Sequence, residues 1–196
     1  MFSRLFRKTL PLETQIQDLK ELGITFNLPD EELIGKLKEQ FDPQAYANDP
    51  YTLLISAAGT DLLDEDGNVL RMSDDILSFD IECVEDEQVY THIVEQFMRL
   101  TKGECRISEL DSNVDFNEEA DRLSFSHEGR RHELEVTFED DWFDVSVLER
   151  IAEIVRKPGK DFVYFKDGQT LTILYCTPEA LEKLNRAANR KFRVMA

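Results

Sequence analysis

Two segments restrict the possible folds of this chain more than anything else in it. Residues 122–138 read "RLSFSHEGRRHELEVTF" and residues 161–176 read "DFVYFKDGQTLTILYC". Each places a Gly-containing turn between two strand-like runs, the signature of an antiparallel hairpin. With the first turn at Glu128-Gly129, Leu123 faces Leu134 and Phe125 faces His132. Leu123, Phe125 and His127 then share a face with Leu134 and Val136, and a slip of one residue would scatter that set. The second hairpin is expected to turn at Asp167-Gly168. Its strands are apolar on both sides, as in the centre of a sheet.

The rest of the chain is arranged around these hairpins. "LETQIQDLKELG" carries Leu12, Ile16, Leu19 and Leu22 at helical spacing and stops at Gly23. "PDEELIGKLKEQF" repeats the pattern, with Asp30 as the expected cap. "NDPYTLLISAAG" is a third, more buried helix. "LLDEDGNVL" reads as a hairpin turning at Asp66-Gly67. As an EF-hand loop it fails, because Leu62 and Ser73 would occupy its first and last ligand positions. "ILSFDIECV" alternates, with Leu77, Phe79, Ile81 and Cys83 on one side and Ser78, Asp80 and Glu82 on the other. "DEQVYTHIVEQFMRLTKG" is an amphipathic helix closed by Gly103, "ECRISEL" a short strand and "DSNVDFNEEAD" a polar loop. "TPEALEKLNRAANRK" has Thr177 as N-cap and Pro178 at the first helical position.

No βαβα alternation and no Gly-rich crossover appear, which argues against a doubly wound sheet. The expected fold is α+β. A mainly antiparallel sheet of about five to seven strands carries helices on one face and follows an N-terminal helical segment. The chain is expected to form a single globular unit over 1–196, with a helical part at 9–60 and an α+β part at 61–196.

The functional signals lie in charge and in one corner. The chain holds 23 Lys and Arg against 41 Asp and Glu, a net charge of −18. Three bases sit in residues 1–8 and four in 186–196, with no acid in either stretch. The middle keeps 16 bases against all 41 acids, a net of −25. Such a field repels nucleic acid and anionic membrane and attracts basic proteins. The only tryptophan stands in "FEDDWFDVSVLERIAEIV", beside Glu139, Asp140, Asp141 and Asp144. The structural explanation is a helix start. Asp144 caps the helix, or Ser146 does with Glu149 in a capping box, while Trp142 or Phe143 pins the corner to the sheet. On that account Trp142 is buried. The functional explanation is an acidic lip, Glu139, Asp140 and Asp141, beside a partly exposed Trp142, which suits an arginine-bearing partner.

Catalytic signatures are missing. There is no G-x-S-x-G, no P-loop and no G-x-G-x-x-G. His127 and His132 are diagonal neighbours on one sheet face and offer the one alternative metal pair, although both sit near a charged hairpin tip. Cys83, Cys105 and Cys176 lie in strand-like patterns without C-x-x-C spacing, as expected of structural thiols in a reducing, bacterial cytoplasm. No cofactor is implied, and no apolar run reaches membrane-spanning length.

The helix "EQVYTHIVEQFMRL", the hairpins at "HEGR" and "KDGQ", and the helices "DVSVLERIAEIV" and "PEALEKLNRA" follow one another in an order that resembles small acidic secretion chaperones. Acidic toxin-immunity proteins are similar in size, charge and build. The resemblance implies a non-enzymatic, acidic protein-binding module for a basic protein partner. The alternative is a small metal-dependent hydrolase with carboxylate and histidine ligands.

Overall fold

The computed structural model describes residues 10–64, 66–113, 121–137 and 140–195. Among them are seven α-helices and nine strands, and every strand pairing is antiparallel. The fold is α+β.

Four helices come first: α1 (Leu12–Glu21), α2 (Asp30–Gln40), α3 (Pro43–Asn48) and α4 (Thr52–Gly59). α1 ends as its sequence predicts. Gly23 has φ +89°, its N–H donates to the Lys20 carbonyl, and the Ile24 N–H donates to the Leu19 carbonyl. This is a Schellman closure, and the positive φ suits glycine. Asp30 is not the cap of α2. Pro29 precedes the helix, and Asp30 instead accepts from Lys20 and Gln17, tying α2 to α1. The short α3 has no counterpart in the sequence reading. Asp42 caps it through the Gln44 N–H, with Pro43 at the first position.

The expected single sheet is three sheets. β1 (Leu62–Leu63) and β2 (Val69–Leu70) form a two-stranded ribbon. β3 (Ile76–Asp80), β7 (Asp161–Asp167), β8 (Thr170–Cys176) and β9 (Arg193–Val194) form a four-stranded sheet in the order β3-β8-β7-β9. β4 (Ser108–Asn113), β5 (Asp121–His127) and β6 (Arg130–Val136) form a three-stranded sheet. β4 therefore starts later than "ECRISEL" suggests and takes in Asp111–Asn113, while Asp121, the last residue of the expected loop, begins β5 and 114–120 lie outside the described residues.

The expected register of β5 on β6 is observed, with Leu123 opposite Leu134 and Phe125 opposite His132. Glu128 and Gly129 form the loop and both have positive φ, the backbone of a type I′ turn. The second hairpin turns one residue later than expected. Asp167 pairs with Thr170, so Gly168 and Gln169 are the loop residues. Gly168 has φ +61°, and a Cβ there would meet nothing within 4 Å. Gly168→Val should therefore cost about 1–2 kcal/mol through backbone strain alone. An unchanged urea midpoint would show that the turn has another conformation.

Helices cover both faces of the four-stranded sheet, not one. Ile76, Val163, Phe165 and Leu174 point into a core with α1, α2, α4 and α7 (Pro178–Ala187). Leu77, Phe162, Leu171 and Ile173 point the other way. There they meet α5 (Val89–Arg99), α6 (Ser146–Ile154) and the buried face of the three-stranded sheet, Leu123, Phe125, Leu134 and Val136. Strict alternation along β7 and β8 sends neighbouring residues into opposite cores. The chain crosses from the four-stranded sheet to the three-stranded sheet through α5 and returns through α6.

Candidate functional site at the acidic corner

The return crossing builds the site. After β6 the chain passes Asp140, held at φ +61°, and runs back along the segment that follows β3. The Val84 N–H donates to the Asp141 carbonyl (2.9 Å) and the Phe143 N–H to the Ile81 carbonyl (2.6 Å). Glu82 and Trp142 face each other in this short antiparallel bridge. Residues about 60 positions apart are thus brought to one corner.

The two rings of the corner have opposite fates. Trp142 is 37% exposed and Phe143 is 3% exposed. This overturns the expectation of a buried Trp142. Successive residues of an extended segment point to opposite sides, and here Phe143 takes the inner one. It stacks on Tyr90 (centroids 4.4 Å, planes at 21°) and meets Phe79 edge-on (5.5 Å, 82°). Phe143 is the pin that fixes the corner to the core.

Asp144 completes the construction. Its Oδ1 accepts from the Ser146 N–H and its Oδ2 from the Thr137 N–H, both at 3.0 Å. Its own N–H donates to the Tyr90 hydroxyl (2.9 Å), and Arg150 lies 3.6 Å from Oδ2. Of the two expected caps, Asp144 is the one in use. It leaves Asp140 and Asp141 free of any capping role.

Asp140 is exposed and Asp141 half-buried beside Trp142; Glu139 lies outside the described residues. The corner is more acidic than the lip alone. Glu82 stands opposite Trp142, with its carboxylate accepting from the Gln169 amide, and Asp80 and Glu85 lie on the same segment near Cys83. Burial first, then the negative charges of Asp80, Glu85 and Asp141, pushes the Cys83 thiol up to about 11. A thiol held protonated in this way is a poor nucleophile. The alternation of "ILSFDIEC" had already placed Asp80 and Glu82 on the polar side of their strand. What one strand could not show is that this side meets Trp142.

A cation already lies over the tryptophan. Lys166 Nζ is 5.8 Å from the Trp142 ring centroid. Lys166 also lines an open cleft of about 440 Å³ with Tyr164, Phe165, Arg190, Lys191 and Arg193. The acidic corner and the C-terminal bases therefore meet at the Lys166–Trp142 contact. Within the cleft Arg190 is paired with Asp167 (2.6 Å), and Lys191 donates to the Asn185 and Ala188 carbonyls near the end of α7.

The alternative histidine pair takes other partners. His127 Nδ1 lies 2.8 Å from the Arg106 carbonyl, so that nitrogen donates. His132 stacks on Phe125 at 5.3 Å. His127 is tucked against the sheet, not solvated at the hairpin tip. Among the described residues no three His, Cys, Asp or Glu side chains come together as a metal would need. The three thiols are free. Cys176 ends β8, whereas Cys83 lies beyond β3 and Cys105 follows α5, outside the strands expected for them. Among the described residues no helix is long and apolar enough to cross a membrane.

No family model matches this sequence, and neither the curated proteins nor the solved structures contain a match to it.

Proposed function

We propose that this chain is a non-enzymatic, acidic protein-binding module, and that the corner around Trp142 receives a basic protein partner. One observation carries the reading. A partly exposed indole stands opposite Glu82 in the bridge between two segments, next to Asp141, and a lysine ammonium lies over it. An arginine presented by a partner would displace Lys166 from the ring and enter the same field, with cation–π attraction of about 0.5–2 kcal/mol. In this reading Asp140 and Asp141 supply the outer lip, Glu139 precedes them in the sequence, and Trp142 is the anchor. On this reading the protein works in the cytoplasm, binds no nucleic acid and inserts in no membrane. It resembles secretion chaperones or immunity proteins in its mode of action rather than a hydrolase.

The partner is to be captured on full-length protein and identified by mass spectrometry, then followed by surface plasmon resonance. Glu139→Gln, Asp140→Asn and Asp141→Asn together should lower the association rate by about tenfold or more at low salt, with the melting temperature unchanged. Salt should erase the difference, because screening shortens the reach of charge from about 10 Å at 0.1 M to about 3 Å at 1 M. Equal association rates for wild type and variant at low salt would remove the lip as a docking surface.

A further inference from the structure

A second site lies where β9 stops short of its neighbour. β9 pairs with β7 at Val163–Val194 and Tyr164–Arg193 and goes no further, so among the described residues no strand pairs with Phe165–Asp167 on that side. The open cleft of about 440 Å³ lies against this stretch. Tyr164, Phe165 and Lys166 border it from β7, and Arg190, Lys191 and Arg193 from the chain that leads into β9. That chain is fixed. Phe192 is buried, meets Phe165 edge-on (4.9 Å, 85°) and makes two main-chain hydrogen bonds to the Asn185 side chain (2.9 and 2.7 Å). The Arg190 N–H donates to Thr52 Oγ1 (3.3 Å). The bases are thus carried on backbone held by α4, by α7 and by the sheet.

The charge balance gives the sign of the ligand. Four bases line the cleft and no acid does. Two acids touch the same stretch of chain: Asp167 takes Arg190 (2.6 Å), and Asp49 takes Asn189 (2.8 Å). Counting both in full, 4 − 2 leaves +2, and conceding Lys166 to the acidic corner still leaves +1. Donor capacity has the same sign. Arg193 is exposed, and its guanidinium has no partner among the described residues. Arg190 keeps Nε and Nη1, and Lys191, with two N–H groups on the Asn185 and Ala188 carbonyls, keeps one. The side-chain acceptors still open are the remaining lone pairs of Asp167 and Asp49 and the Tyr164 hydroxyl, which also donates. Main-chain carbonyls at the strand edge are neutral and do not change the sign.

A guanidinium fork matches two oxygens of a phosphoryl group, and two such forks beside ammonium groups suit more than one phosphate. The net charge of −18 acts against a long polyanion such as nucleic acid. A small ligand feels mainly the charges within about 8 Å, the screening length at physiological salt. We propose that this cleft binds an oligophosphate group, free or carried on a small molecule, with Arg190 and Arg193 on neighbouring phosphates and Lys166 and Lys191 flanking them. The site needs no protein partner and does not depend on the acidic corner receiving one.

The full chain is to be titrated with inorganic triphosphate, ATP and orthophosphate, at low salt and without divalent metal, and followed by calorimetry and amide NMR. Inorganic triphosphate should saturate one site with a dissociation constant of about 0.1 mM or tighter, shifting amides in 164–167 and 189–194. Orthophosphate should bind at least about tenfold more weakly. ATP separates the two sources. Binding as tight as that of triphosphate supports a phosphate chain carried on a larger molecule, and weaker binding supports the free anion. Arg190→Gln with Arg193→Gln should weaken triphosphate binding by about tenfold or more, with the melting temperature unchanged. Arg193→Gln alone, at a side chain with no partner to lose, should weaken it by about threefold. Lys183→Gln with Arg186→Gln, two exposed bases of α7 outside the cleft, changes the net charge equally and should leave binding unchanged. The proposal is overturned if neither triphosphate nor ATP saturates by about 5 mM, or if orthophosphate binds as tightly as triphosphate. It also fails if the α7 pair weakens binding as much as the cleft pair does, or if the shifts fall outside the cleft.

Discussion

Phe143→Ala is expected to destabilise the protein by about 3–5 kcal/mol, as for a fully buried aromatic. Trp142→Ala should cost only about 1–2 kcal/mol, because part of that ring is in solvent already. The ring of Phe143 is held by both Tyr90 and Phe79. Its loss would leave a cavity at the one point where the chain returns from the three-stranded sheet to the four-stranded one. It would also unseat the Tyr90 hydroxyl, which accepts from the Asp144 N–H just before α6. For a chain of this length the loss corresponds to roughly 6–20 °C in melting temperature. Trp142 doubles as the reporter, since it is the only tryptophan. Its fluorescence should shift little in Phe143→Ala below the melt and should be quenched when a basic partner binds. If Trp142→Ala costs as much as Phe143→Ala, the indole is a core group, and the docking surface proposed around it is lost.

These two adjacent rings show what could and could not be read from the sequence. Both were visible as corner residues, but which one faces inward depends on the backbone at Asp140, whose positive φ sets the phase of the next three residues. A non-glycine residue in that conformation leaves no reliable mark in the sequence. The β5–β6 register was legible because a turn and a buried face specify the same pairing, Leu123 with Leu134. The start of α7 was legible because Thr177 and Pro178 are local signals with local partners. Sheet membership was not. β3 pairs with β8 across about 90 residues, joined by Ser78 and Thr172 hydroxyls at 2.9 Å. Alternation along either strand fixes its faces but names no partner. The helices on both faces follow from the same long-range pairing. For the candidate site, Asp141 and Trp142 were legible as a local cluster. The contributions of Asp80, Glu82 and Lys166 needed the fold.

Gly59 supports the second large effect. α4 is buried almost all round and lies directly on β3, so close that a Cβ on Gly59 would be 2.5 Å from Ile76 Cγ2, 2.7 Å from Ser78 Oγ and 3.0 Å from the Ser78 backbone nitrogen. Alanine is the better helix former by about 1 kcal/mol, which would favour the substitution on an exposed helix. Here Ile76 is fully buried and Ser78 is engaged with Thr172, which in turn reaches Ser56 on α4 itself. Neither neighbour can move without disturbing the sheet. Gly59→Ala should therefore destabilise by about 1–3 kcal/mol and Gly59→Leu by more than about 3 kcal/mol. The way the variants unfold matters as much as the amount. The four-stranded sheet contributes side chains to both cores, so strain entering at Gly59 should weaken both. We expect one cooperative transition, with tyrosine signals and Trp142 fluorescence melting together, as for a single folding unit. Trp142 lies on the far side of that sheet from α4. If its transition stayed at the wild-type midpoint while helical signal was lost earlier, the helical part at 9–60 and the α+β part at 61–196 would be separate units. A wild-type midpoint for Gly59→Leu in every signal would mean that α4 does not approach β3 as closely as its glycine allows.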